Sequence, residues 1–105
     1  MTISLGDITI QPIVEDQFPF LEPLAFFPKL TKEVLEENRS WLEPRHLDPK
    51  TGKLLFAFQS FLIKTPKHNI LIDTCVGNDK PRASGRFPFW HEQKSDRYEK
   101  SLKAA

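Results

Sequence analysis

The chain has 105 residues, of which 39% are apolar and 28% are charged, and its formal net charge is +1. These values fit one globular domain and exclude a disordered or fibrous chain. The 15 basic and 14 acidic residues nearly balance, and no apolar run approaches the roughly 18 residues of a membrane span, so we expect neither nucleic acid nor a membrane as a partner. A single cysteine and no signal-peptide pattern predict a cytoplasmic protein without an internal disulfide.

The N-terminal residues predict a β-hairpin. Residues 3–14 are rich in β-branched side chains on both sides of Gly6 and Asp7, which form a turn signal. We expect a short strand before this turn and a longer one after it. Pro12 has no N–H to donate, which restricts it to a sheet edge or a bulge.

Residues 15–30 combine four phenylalanines with three prolines. Because proline fixes φ and removes a hydrogen-bond donor, these residues predict an irregular loop, but one with too many aromatic rings to stay in water. Two interpretations remain open. The rings pack against the sheet, or they form an apolar wall beside a ligand pocket. The phenylalanines concerned are Phe18, Phe20, Phe26 and Phe27.

The residues that follow predict a helix. Thr31 is suited to cap its N-terminus, Glu33 lies in the first turn, where the helix dipole favours a negative charge, and Pro44 ends it. Apolar residues recur at helical spacing and predict one apolar face. They are Val34, Leu35, Trp41 and Leu42.

The strongest predicted strand is residues 54–64. Apolar side chains occupy both of its faces, so we expect it to be covered on both sides. Residues 65–68 predict a turn, and residues 69–73 predict an antiparallel partner strand. Residues 81–93 predict a loop.

A second helix is predicted from about Ser95, with Tyr98, Leu102 and Ala105 on one face. Its pattern continues to the last residue without a Gly, Asn or Pro to end it. We therefore expect residues 1–105 to be a single partial domain, the front part of a longer chain that is shortened either in the expressed protein or in the gene.

The isolated histidines and the cysteine are weak candidates for chemistry. His46, His68 and His91 stand alone, without the short spacings by which a loop or helix delivers two metal ligands at once. Cys75 has no base in its sequence neighbourhood, so a small buried thiol is favoured over a nucleophile. No residue is assigned as a catalytic residue or a metal ligand.

Asp73 is the strongest candidate. It follows the apolar residues 70–72 at the end of a strand that we expect to be buried, so its carboxylate needs donors or a cation. It could accept the backbone N–H of Cys75 in an Asx turn, or it could reach a neighbouring loop or a metal. The local sequence favours the turn.

Residues 60–80, SFLIKTPKHNILIDTCVGNDK, resemble the opening hairpin of the metallo-β-lactamase fold, in which an apolar strand ends in an Asp-Thr-Gly-like sequence. The upstream Gly-Asp strand pair and the helix after the loop extend the resemblance over most of the chain. In two places the chain departs from the family: Cys75 stands where many members have glycine, and the turn PKHN replaces a commoner glycine-rich one. The resemblance implies an α+β fold, the N-terminal portion of an αββα sandwich, with a mostly antiparallel sheet and two helices.

The resemblance also implies a function for an intact relative, the hydrolysis of an ester, lactone or amide-type bond in a small-molecule substrate by water that one or two zinc ions activate. The family's metal ligands come from a His-x-His-x-Asp-His motif and from later His and Asp residues, which are not in these 105 residues. We therefore expect this chain alone to bind no metal and to be inactive. The aspartate that matches Asp73 orients the metal loop through hydrogen bonds, and the loop from Phe18 to Phe27 borders the substrate pocket.

The alternative is a small β-rich module that binds a partner through the residues from Phe18 to Phe27 and catalyses nothing. As a partial domain, the chain leaves the strand 54–64 with half of its expected cover. We therefore expect the chain to self-associate through the incompletely covered sheet.

Overall fold

A computed structural model describes residues 1–82 and 87–105; residues 83–86 of the predicted loop 81–93 lie outside the described residues. The elements follow one another in this order: β1 (Ile3–Leu5), β2 (Ile8–Leu21), α1 (Pro23–Phe26), α2 (Lys32–Leu42), β3 (Leu54–Lys64), β4 (Asn69–Ile72), a 3-10 turn (Pro88–Trp90) and α3 (Arg97–Ala104).

The described residues form a small α+β protein with a four-stranded sheet in the order β1-β2-β3-β4 and three α-helices. β1 runs antiparallel to β2, and β3 runs antiparallel to β4. The predicted α+β class and antiparallel hairpins are confirmed. The short α1 is an addition to the two predicted helices. None of the described helices has the length and apolar character needed to cross a membrane.

Both hairpins form at their predicted turns. Gly6 takes φ +59, a left-handed conformation that glycine adopts without strain, and the turn brings Leu5 opposite Ile8. At the second turn, Lys64 lies opposite Asn69. The Oγ1 of Thr65 accepts hydrogen bonds from the backbone N–H groups of residues 67 and 68, at 3.2 and 2.9 Å, and so holds the turn closed.

The predicted irregular loop at residues 15–30 is wrong in its first part, because β2 continues to Leu21. Phe18 and Phe20 are half-buried, whereas Pro19 between them is exposed. This alternation with a period of two is that of a half-buried strand. α1 then begins with Pro23, which needs no N–H partner at the first position of a helix.

The predicted cap of α2 is confirmed, since Thr31 Oγ1 accepts the N–H of Val34 at 3.3 Å. The helix ends at Leu42, ahead of Pro44. Its predicted apolar face is only partly covered: Val34 is 43% exposed and Trp41 is 62% exposed.

The chain divides into two compact units, which are described separately below. The sheet unit consists of Met1–Asp16 and Phe58–Ala105, and the aromatic unit consists of Gln17–Ala57. β2 and β3 each contribute residues to both units.

In the sheet unit, α3 packs on one face of β3. The hydroxyl groups of Ser60 and Tyr98 are 2.8 Å apart, and the Nζ of Lys64 donates to the carbonyl oxygen of Ala105 at 2.8 Å. Ser60 is 0% exposed and Leu62 is 7% exposed on this face. The predicted face of the second helix is confirmed, since Tyr98 contacts the strand.

The opposite face of the β3–β4 hairpin is open. Phe61 lies opposite Ile72, and these two side chains are 38% and 49% exposed, while Ile70 is 46% exposed. The expected cover on both sides of β3 is therefore incomplete on the face of Phe61, where Ile63 is half-buried and Phe61 is exposed. Apolar side chains of this size that share one open face are typical of a surface that another surface covers.

We predict that the purified chain self-associates and that its mass, measured by size-exclusion chromatography with light scattering, rises with concentration. Replacing Ile70 and Ile72 together with threonine keeps the β propensity but removes apolar area, so the mass should fall towards that of a monomer. Val34→Thr is the control, because Val34 is similarly exposed but lies in the aromatic unit. A wild-type chain that stays monomeric at every concentration would contradict the prediction.

Candidate functional site

The loop that follows β4, residues 73–82, has an unusual backbone; we call it the strand-end loop. Asp73, Cys75 and Asp79 have φ values of +69, +61 and +55, and Gly77 has φ +83. A left-handed backbone costs a non-glycine residue about 1–2 kcal/mol, so interactions around the loop must hold it in this shape.

Asp73 forms the Asx turn that the local sequence favours. Its Oδ1 accepts the N–H groups of Thr74, at 2.6 Å, and of Cys75, at 2.9 Å. The expectation of a buried strand is wrong, because β4 lies at the edge of the sheet and three of its four residues are exposed. Asp73 itself is exposed, so no buried charge has to be neutralised there.

Glu15 is the residue that the sequence analysis missed. It lies on β2, is 6% exposed, and its Oε2 accepts the N–H groups of Val76 and Gly77 at 3.1 and 3.2 Å. Its Oε1 accepts the side-chain N–H of Gln93 at 3.0 Å. A signal was present in the sequence: Glu15 follows Ile13 by two residues, so both side chains lie on one face of the strand, and Ile13 is 1% exposed.

A second set of hydrogen bonds joins the strand-end loop to residues 93–95. The Nε2 of Gln93 donates to the carbonyl oxygen of Gly77 at 3.0 Å, and the backbone carbonyl of Gln93 accepts the N–H of Asp79 at 3.0 Å. The side-chain amide of Asn78 donates to the carbonyl oxygen of Ser95 at 2.6 Å and accepts its N–H at 3.2 Å. The strand-end loop is therefore hydrogen-bonded both to Glu15 of β2 and to residues 93–95.

Cys75 is half-buried, and its Sγ is 3.2 Å from the Oγ of Ser60. Burial raises the pKa of the Cys75 thiol; the hydrogen bond with Ser60 opposes this, and the negative charges of Glu15 and Asp73 raise it further. A thiol with a raised pKa stays protonated at neutral pH and is a poor nucleophile. The geometry agrees with the interpretation of Cys75 as a packed thiol.

The histidines do not assemble a metal site. His68 is exposed at the tip of the β3–β4 hairpin, and the Nδ1 of His91 accepts the backbone N–H of Arg82 at 2.8 Å. His46 is exposed, with its ring 6.2 Å from that of Trp41. Among residues 1–82 and 87–105, no group of three or more His, Cys, Asp or Glu side chains could hold a metal ion.

The aromatic unit contains a cluster of phenylalanine rings that pack edge to face. Phe20 lies 5.5 Å from Phe18 and 5.4 Å from Phe56, and Phe26 lies 5.1 Å from Phe56, measured between ring centroids. Phe26 is also 4.8 Å from Phe27. Phe18 and Phe20 therefore pack against other rings of the aromatic unit.

Phe26 and Phe27 also border an open cavity of about 440 Å³ in the aromatic unit. The two rings are 44% and 50% exposed. The wall of the cavity is almost entirely apolar, and it consists of Phe26, Phe27, Trp41, Leu42, His46, Leu54, Leu55 and Phe56. That these rings form the wall of a substrate pocket stays a prediction.

Comparisons with models of known protein families, with curated proteins and with solved structures found no significant match to this chain. The resemblance of residues 60–80 to the metallo-β-lactamase fold, and the role that it implies for Asp73, therefore stay predictions.

We predict that Cys75→Gly is more stable than Cys75→Ala by about 1 kcal/mol, because only glycine adopts the left-handed backbone of this position without strain. Both variants remove the Sγ that contacts Ser60, so each is the control for the other. Urea unfolding measures the difference. An alanine variant that is as stable as the glycine variant would show that the left-handed backbone at Cys75 is wrong.

Proposed function

We propose that the chain is the N-terminal part of a metal-dependent hydrolase with the metallo-β-lactamase fold. In this proposal its strand-end loop lies beside the metal site, and the chain itself provides no metal ligand. The observation that carries the proposal is the backbone of the Asp73–Cys75 segment at the end of an antiparallel hairpin.

The conformation of Cys75 supports this proposal. Many members of the family have glycine at the matching position, and glycine is favoured where φ is positive. Cys75 takes φ +61, so this chain keeps the conformation that suits glycine although the residue has changed. The left-handed backbone at Cys75 therefore supports the proposed match to a position where many members of the family have glycine.

The carboxylate of Asp73 is suited to the orienting role. Its Oδ1 holds the Asx turn, and its Oδ2 accepts no hydrogen bond from the described residues. A carboxylate oxygen that faces solvent can accept further N–H groups. In the proposed hydrolase, Oδ2 accepts hydrogen bonds from the metal-binding loop and fixes its orientation.

The donor groups of the described residues do not fit a zinc ion. Three or four ligands must converge on zinc, and no such group exists among these residues. The thiol of Cys75 contacts Ser60, and the Nδ1 of His91 already accepts a hydrogen bond. No step of the hydrolysis is therefore assigned to this chain, whose part in the proposal is to position a loop.

The cavity of the aromatic unit favours a second candidate function, a small binding module without catalysis. Its volume of about 440 Å³ lies within the range of roughly 300–1,000 Å³ that is usual for small-molecule sites. The exposed rings of Phe26 and Phe27 would then contact an apolar ligand. This function needs no residue of the strand-end loop.

The coding sequence downstream of codon 105 tests the choice between these functions. The hydrolase predicts a His-x-His-x-Asp-His motif shortly downstream in the same reading frame. An immediate stop codon would contradict an intact hydrolase and favour either the binding module or a decayed gene.

We also predict that the 105-residue chain binds zinc more weakly than micromolar and does not hydrolyse an activated ester in a metal-dependent way. The reason is the lack of converging ligands among the described residues. Isothermal titration with zinc and an esterase assay with and without a chelator measure the two properties. Sub-micromolar zinc affinity, or ester hydrolysis that the chelator abolishes, would contradict the prediction.

A further inference from the structure

We propose that Glu15 is a positioning residue, whose carboxylate fixes the strand-end loop in one conformation. Only the link between this loop and the metal site of a hydrolase rests on the proposed function. The conformational part of the proposal follows from the geometry of the sheet unit alone.

The burial of Glu15 is the first observation. A carboxylate that is 6% exposed has lost most of its hydration, which is costly unless other groups replace the water. Among the described residues, no Lys, Arg or His forms an ion pair with Glu15. N–H donors therefore stabilise its negative charge without a cation.

The second observation is the shape of the loop around this carboxylate. Val76 and Gly77 direct two successive backbone N–H groups at the Oε2 of Glu15. Successive N–H groups in a turn that includes left-handed residues form a concave site for an anion, and Cys75 and Gly77 are left-handed. The chain fills this anion site with a carboxylate of its own.

Gln93 hydrogen-bonds both to Glu15 and to the strand-end loop. Its Nε2 donates to the Oε1 of Glu15 and to the carbonyl oxygen of Gly77, both at 3.0 Å. Gly77 is thus held through its N–H by Glu15 and through its C=O by Gln93. The three hydrogen-bond partners of Glu15 among the described residues are all donors, so a carboxylate, which only accepts, suits position 15.

The sequence separation distinguishes Glu15 from Asp73. Asp73 bonds to the next two residues, so it shapes the start of the loop but cannot tie the loop to the rest of the sheet unit. Glu15 bonds to residues that are 61, 62 and 78 positions away. The position of the loop relative to β2 therefore depends on Glu15.

Glu15→Gln tests the proposal in the 105-residue chain. Glutamine has nearly the same size, but its amide group faces donors with an N–H. Amide hydrogen exchange, measured by mass spectrometry, should accelerate at least about tenfold in peptides within residues 74–82, relative to peptides within residues 61–71. A hydrogen bond to a charged group stabilises a folded segment by about the free energy that corresponds to this factor. Asp16→Asn is the control, since Asp16 is an exposed carboxylate on the same strand, 3.7 Å from Arg97, and should change neither region.

A rescue experiment separates positioning from simple packing. Gln93→Glu alone places two carboxylates together and should accelerate exchange in the loop. In the double variant, the amide of the new glutamine can donate to the new carboxylate, although the bond from position 93 to the carbonyl oxygen of Gly77 stays lost, so exchange should be slower than in Gln93→Glu alone. Loss of packing alone predicts no such rescue.

Three results would overturn the proposal: no loop-specific acceleration in Glu15→Gln, no rescue in the double variant, or the same acceleration in Asp16→Asn. If Glu15→Gln does not fold, Glu15→Asp serves instead, because its shorter side chain withdraws the carboxylate from the N–H groups of Val76 and Gly77, and unchanged exchange in its loop would overturn the proposal equally. These measurements do not involve metal or substrate. Their failure would leave the coding-sequence test of the proposed function unaffected, and the converse also holds.

Discussion

The hydrogen bonds between the buried carboxylate of Glu15 and the backbone of Val76 and Gly77 determine the shape of the strand-end loop. They connect β2 with residues that lie 61 and 62 positions later in the chain, and Gln93 adds a third bond from the segment before α3. Without an acceptor oxygen at position 15, two N–H groups of the loop would lose their protein partner. The hydrogen bonds from Glu15 and Gln93 offset the strain of the left-handed residues in the loop.

Asp73 and Cys75 shape the start of this loop. The carboxylate of Asp73 closes the first turn by local bonds, and the thiol of Cys75 lies against Ser60, which in turn contacts Tyr98 of α3. Neither residue shows the features of a catalyst, since Asp73 is exposed and burial raises the pKa of the Cys75 thiol. Both residues lie in the strand-end loop directly after β4, which under the proposed function would support the metal loop.

The parts of the fold that could be predicted from the sequence are those that depend on interactions between residues close together in the chain. The Gly6 turn, the turn that follows Lys64 and the Thr31 cap each depend on residues within a few positions of one another. The prolines of residues 15–30 predict an irregular loop, but β2 continues to Leu21, where Phe18 and Phe20 are half-buried and Pro19 between them faces water.

The candidate site was less predictable, because it depends on the order of the strands and on distant partners. β4 has an apolar sequence but lies at the edge of the sheet, so Asp73 is exposed rather than buried. Glu15 is the first residue of the predicted loop 15–30, and all its donors are more than sixty residues away. Only its two-residue spacing from the buried Ile13 indicated that it faces inward.

The contact between Glu15 and the strand-end loop can be measured directly by nuclear Overhauser spectroscopy on the labelled chain. The structure predicts cross-peaks from the amide protons of Val76 and Gly77 to the side-chain methylene protons of Glu15. Cross-strand peaks between Ile3 and Ile10 provide the internal control, because they require only the first hairpin. If the hairpin peaks appear and those to Glu15 do not, the buried carboxylate does not hold the loop, and the account of the site is wrong.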